Sequence, residues 1–237
     1  MRHSAATCAF LALLYIGQLH AQVQAPLHVG PFGGLQEPLP QLAIPPELKL
    51  FIPAGFVLRA VLPAMMSSPG ETLFLYDNGE RLFPETHLHA LREGKQYELF
   101  DGVISGVAGL RCLPSNVACQ FVAFAFHRGG DLADTTFVVV GFEKDNYRSL
   151  VQQDTAQGRI AVLSGSPLRF ELWSANLGLD PPNPDKSCVW CPHRYTIRTF
   201  EGEGNTFKVV SERTTKRFLD PGEIAAEAFA TPTDGRN

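Results

Sequence analysis

Apolar and polar positions alternate, or run unbroken, in short stretches along most of this chain, which is the period of strands rather than helices. The stretches are LKLFI (48–52), FVLRAVL (56–62), TLFLY (72–76), CQFVAFAF (119–126), TFVVVGF (136–142), YRSLVQQ (147–153), RIAVLSG (159–165), LRFELWSA (168–175), YTIRTF (195–200) and FKVVSERT (207–214). In the last of these Phe207, Val209, Ser211 and Arg213 share one face. The run FVVV (137–140) is apolar on both faces and suits a strand covered from two sides. Two segments predict helix: THLHALREG (86–94), two turns ending at Gly94, and DPGEIAAEAFA (220–230), a short C-terminal helix capped by Asp220. The expected fold class is all-β, built from repeated antiparallel hairpins, with that short helix at the end.

The chain also echoes itself. TFVVVGFEKDNYRSLVQQDT (136–155) aligns with RYTIRTFEGEGNTFKVVSERTT (194–215). Each has a strand ending in Phe-Glu (Phe142-Glu143, Phe200-Glu201), a polar turn, and an aromatic–basic pair (Tyr147-Arg148, Phe207-Lys208). A fainter third copy is TLFLYDNGERLFPE (72–85), where Tyr76-Asp77-Asn78-Gly79 signals a hairpin. At a spacing of roughly 60 residues, one period holds about four strands, the content of a propeller blade. The pattern resembles the blades of secreted bacterial FG-GAP/VCBS-type β-propellers, in which a tight hairpin with an aromatic before its turn closes each blade. The resemblance covers residues 119–215 and implies a propeller-like architecture. The Asp-x-Asp-x-Asp-Gly calcium loop of that family does not occur in this sequence. Three copies are fewer than the usual four to eight blades. The readings are therefore a partial propeller, one completed by a homodimer, or a β-sandwich made from the same hairpins.

The first 21 residues have the layout of a secretory signal peptide: Arg2 and His3, an apolar run from Ala5 to Gly17, and small residues near Ala21, after which cleavage is expected. The run is too short to anchor the chain in a bilayer, and no later segment is apolar enough to do so. Residues 22–46 are crowded with proline and glycine and read as a leader; residues 47–237 read as a single β-rich domain. The expected location is secreted or periplasmic. With a net charge of −4 and no basic stripe, nucleic acid and anionic membrane surfaces are not expected partners. The 21 glycines and 18 prolines fit many turns between short strands.

Four cysteines follow the signal segment: Cys112, Cys119, Cys188 and Cys191. In an oxidising compartment they are expected to form disulfides; of three pairings, 112–119 and 188–191 each close a local loop. Cys188 to His193 (CVWCPH) also matches half a redox or zinc motif, but it follows a proline-rich loop and precedes a strand, which favours a structural bridge. Glu85, His87 and His89 would share one face of a strand as metal ligands, whereas on a helix they diverge. Trp173, Trp190, Tyr147 and Tyr195 lie near turns or strand ends, where aromatics can meet a protein or a glycan. Ser105 sits between glycines without the spacing of a nucleophile elbow, and no phosphate loop or dinucleotide fingerprint occurs, so no cofactor is implied. The expectation is an exported, non-enzymatic β-scaffold for envelope structure or for binding a protein or glycan. The alternative is a secreted hydrolase using carboxylates or a His87/His89 metal cluster.

Overall fold

A computed structural model describes residues 39–115, 118–129, 134–163, 165–177, 191–220 and 229–230. The protein is all-β. Strands β1 (Val57–Ala64), β2 (Glu71–Asp77), β3 (Glu85–Arg92) and β4 (Lys95–Val103) form the first sheet in chain order. Strands β5 (Gly106–Ser115), β6 (Ala118–His127), β7 (Asp134–Glu143) and β8 (Asn146–Ala156) form the second. Strands β9 (Arg159–Leu163), β10 (Arg169–Ala175), β11 (Tyr195–Glu203) and β12 (Thr206–Thr214) form the third, and β13 (Phe229–Ala230) adds to β9 in parallel. Each sheet is thus an antiparallel meander of four consecutive strands.

The second sheet lies between the other two. Val122, Phe124, Phe126, Val138 and Val140 pack with Leu73, Leu75, Leu88 and Ala90 of the first sheet. The alternate positions Phe121, Ala123, Ala125, Phe137 and Val139 pack with Ile160, Phe170, Leu172 and Phe200 of the third. Because strand side chains alternate between faces, central strands covered on both sides, such as β6 and β7, are apolar at most positions. That is why FVVV is unbroken and Thr135 to Gly141 are all buried. β12, at the edge, is almost wholly exposed and carries Lys208, Glu212 and Arg213, the charges that discourage edge-to-edge pairing.

The free face of the first sheet is covered by the chain that precedes it. Pro46–Leu48 forms a single 3-10 turn, and the Ile52 amide donates to the Leu48 carbonyl at 3.2 Å. Leu48 and Ile52 are thereby turned onto Leu58, Phe74 and Tyr76, with Leu42, Ile44, Phe51 and Phe56 beside them. LKLFI is therefore a turn and not a strand: Pro46 fixes a helical φ at its start, and burial at positions four apart suits a helical turn. Within the stretch read as leader, residues 39–46 already run along this sheet, with Leu42 bridged to Leu58.

The three sheets repeat one plan in detail. Two-residue hairpins join β3 to β4, β7 to β8 and β11 to β12, closing on the pairs Arg92–Lys95, Glu143–Asn146 and Glu203–Thr206. Positive φ occurs at Glu93 and Gly94, at Lys144 and Asp145, and at Gly204, as tight hairpins require. Three residues before each turn the register slips by one, at His89, Val140 and Phe200, leaving Leu99, Leu150 and Val210 as the extra residues. A second slip falls at the same place in β1 and β5, after the pairs Leu58–Tyr76 and Val107–Phe126.

These registers correct two readings. Residues 86–94 are strand β3 and its turn, not a helix: Leu88 and Ala90 are buried against the second sheet while His87 and His89 face away. They are also the true first copy of the repeat. The segment 72–85 is instead strand β2 and the connection after it, where Asn78-Gly79 opens a seven-residue loop before the antiparallel β3. The expected C-terminal helix lies mostly outside the described residues, and at its end Phe229–Ala230 is strand.

The junctions repeat as well. Tyr147, the residue after the second sheet's hairpin, reaches back and donates to Glu71 of the first sheet at 2.6 Å. Phe207, after the third sheet's hairpin, packs in the same way on Phe121 of the second at 4.9 Å between ring centres. Counted back from the matching slips, Glu71, the first residue of β2, aligns with Phe121, the fourth of β6. Arg92 fills a pocket formed by Tyr97, Phe142 and Tyr147, with its guanidinium 4.8, 5.1 and 5.9 Å from the three rings. Cys112 and Cys119 form a disulfide that ties β5 to β6.

Candidate functional site

The densest gathering of chemically capable side chains among the described residues lies on the outer face of the first sheet. Alternation along β3 puts Glu85, His87 and His89 on this face. Pairing then sets His87 opposite Tyr76 on β2 and opposite Asp101 on β4. The register slip at Leu88/His89 moves β4 by one residue, so that His89 faces Glu98 rather than Leu99.

His87 is held between two carboxylates. Its Nε2 lies 3.4 Å from Glu85 Oε1 and its Nδ1 lies 3.2 Å from Asp101 Oδ1. The ring stacks on Tyr76, with centres 4.8 Å apart and planes at 17°, and Phe56 approaches it at 5.5 Å. The imidazole is consequently only 13% exposed, while the carboxylates of Glu85 and Asp101 are 50% and 48% exposed. One fixed imidazole ring flanked by two adjustable oxygen donors can hold a cation or orient a water.

His89 belongs to a different arrangement. It is buried between Phe74 and Tyr76, its Nδ1 lies 3.2 Å from the Tyr76 hydroxyl, and it also meets the side-chain amide of Gln96. Burial, reinforced by His87 nearby, pushes its pKa down to about 4. Burial also raises that of Tyr76. Of the three ligands expected from sequence, Glu85 and His87 come together, and Asp101 takes the place assigned to His89. Asp101 is 14 residues beyond His87 and becomes visible only once β3 and β4 are recognised as a hairpin.

The aromatic residues expected at a binding surface are mostly engaged internally. Tyr195 is fully buried, and burial raises its hydroxyl pKa well above the ordinary value. Tyr147 is committed to the junction with Glu71. Trp173 lies on the outer face of the third sheet between Arg159, 3.9 Å from its ring, and Arg213, and its indole donates to Glu171 at 3.1 Å. Trp190 and Cys188 lie outside the described residues. Cys191 is disulfide-bonded, which removes it as a zinc ligand or free thiol. His193 is buried, with its backbone bridged to Leu219.

Ser105 donates to the His127 carbonyl at 3.0 Å, so its hydroxyl is engaged at the turn into β5. His127 is itself largely buried, its pKa lowered by desolvation, with Nδ1 2.8 Å from the Asp134 carbonyl. Among the described residues no helix is long and apolar enough to cross a membrane. Comparison of the chain with known protein families, with curated proteins and with solved structures gives no match.

Proposed function

We propose that this chain is an exported, non-enzymatic scaffold of three propeller-type blades that binds a protein or a glycan. The observation that carries the reading is the repetition itself. Hairpin length, bulge position and junction recur from unit to unit, whereas matched positions diverge in chemistry wherever they leave the shared core. Val138, buried between the first two sheets, corresponds to His87 in the first unit and to Arg198 in the third. Repeated frames with variable outer positions are how modular binding proteins are organised. The histidines and serine best suited to acid–base or nucleophilic work are also spent on structure, as His89, His127 and Ser105 are. The basic start, apolar run and small residues at 1–21 support export, and a disulfide fits an oxidising compartment.

The test is made on protein recovered from its native host. The mature chain is expected to begin at or near Gln22, with Cys112, Cys119, Cys188 and Cys191 inert to alkylation before reduction. The protein is expected to bind a glycan panel or a cell-envelope protein, without turnover of ester, glycoside or phosphoester substrates. A chain that keeps Met1 and free thiols, or one that hydrolyses any of these substrates, refutes the reading.

A further inference from the structure

We propose that Glu85, His87 and Asp101 form a divalent transition-metal site, of the zinc class, on the outer face of the first sheet. Three observations converge on it. One ligand atom from each residue lies within 4.8 Å of the others; Glu85 is already 3.4 Å from Nε2 of His87, whereas Asp101 is 3.2 Å from Nδ1, the other ring nitrogen. Donors bound to zinc at about 2.0–2.2 Å sit about 3.4 Å from one another in a tetrahedral shell. Because an ion takes only one ring nitrogen, the carboxylate beside the other nitrogen has to swing toward it, which its half-exposed side chain permits.

The ring that anchors the site is preorganised. Stacking on Tyr76 and contact with Phe56 fix the plane of His87, so metal binding does not have to freeze it. The carboxylates, by contrast, face solvent and leave room for a water to complete the coordination.

Charge points the same way. At the matching place in the third sheet Arg198 pairs directly with Glu212 at 2.6 Å, and the pair neutralises itself. In the first sheet two carboxylates face a single imidazole. That group remains negative whether the ring is protonated or not, and a divalent cation offsets it. The mixed nitrogen and oxygen donor set favours zinc-like ions over calcium or magnesium, which prefer oxygen alone.

The proposal is tested by titrating chelator-treated full-length protein with zinc chloride, and separately with calcium chloride, by calorimetry. One zinc per chain is expected, with calcium binding much weaker. His87→Ala is expected to abolish the site, and Glu85→Gln and Asp101→Asn each to weaken it on the order of 10- to 100-fold. The last two are near-isosteric changes at exposed positions, so the fold is retained and thermal unfolding of the metal-free variants confirms it. A Glu80→Gln variant, also exposed but outside the cluster, is expected to bind as the parent does. Absence of zinc binding overturns the proposal. So does zinc binding that survives all three substitutions, which places the ion elsewhere, or calcium binding that equals zinc and ignores His87→Ala, which reduces the cluster to an acidic patch.

Discussion

Replacing Tyr147 with phenylalanine keeps the ring that spans the first two sheets and removes only the hydroxyl. That hydroxyl donates at 2.6 Å to Glu71, a carboxylate 1% exposed. Glu71 also accepts from the Met66 amide at 2.6 Å, the Ser67 amide at 3.1 Å and the Ser67 hydroxyl. A hydrogen bond to a charged group contributes about 1.5–3 kcal/mol. Because three donors remain, the loss should fall at the lower end, about 1.5 kcal/mol. For a chain of this size that lowers Tm by about 3–6 °C. Glu71→Ala should cost more, about 3 kcal/mol or above, since it strands two amides and two hydroxyls.

The effect also has a pH signature. Burial, together with the bond to Glu71, raises the Tyr147 pKa to about 12. Between pH 10 and 12 the unfolded phenol loses its proton while the folded one keeps it, so stability falls as pH rises through this window. The hydroxyl's contribution is full below pH 10 and gone above pH 12. Urea unfolding of parent and Tyr147→Phe, at pH 7 and across this range, reads both quantities. A neutral substitution at pH 7, or a difference that persists unchanged above pH 12, refutes the junction as described.

Three further outcomes are expected. His89, with its pKa lowered to about 4, binds a proton in the unfolded chain below about pH 6.5 but not in the folded one, so stability should fall by about 2–3 kcal/mol as pH drops from 6.5 to 4; His89→Gln should flatten that slope in acid titrations followed by circular dichroism. The Cys112–Cys119 bridge closes a loop of sequence separation 7, and removing both cysteines as alanines should cost about 2.5 kcal/mol of unfolding free energy. Lys144 and Asp145 hold positive φ at a two-residue turn, so Lys144→Asn with Asp145→Gly should raise stability by about 1 kcal/mol in thermal melts.

The strands were legible in the sequence where one period governed each segment. β7 could be recognised as doubly covered because FVVV has no polar face, and the second and third hairpins showed their kinship through Phe-Glu, a polar turn and an aromatic. The first unit was hidden for a physical reason. Its corresponding positions face the leading segment rather than another sheet, so His87 and His89 stand where the second unit has Val138 and Val140, and Thr86 with Gly94 imitates the ends of a helix. β4 and β5 are not legible in the sequence because Gly102, Gly106, Gly109 and Pro114 interrupt them; in β5 the proline is tolerated because the strand is an edge. The candidate site was half visible. Glu85 and His87 follow from alternation within one strand, but exchanging His89 for Asp101 depends on a cross-strand register and a bulge that local sequence does not encode.

A middle sheet buried on both faces between two similar units is the claim on which the rest depends, and native-state hydrogen exchange tests it most directly. Amides of β6 and β7 should exchange only through global unfolding and be the slowest in the chain, with β2–β3 and β10–β11 faster and β12 fastest among the strands. Protection greatest in the first or third sheet, with β6 and β7 opening through local fluctuations, would contradict it.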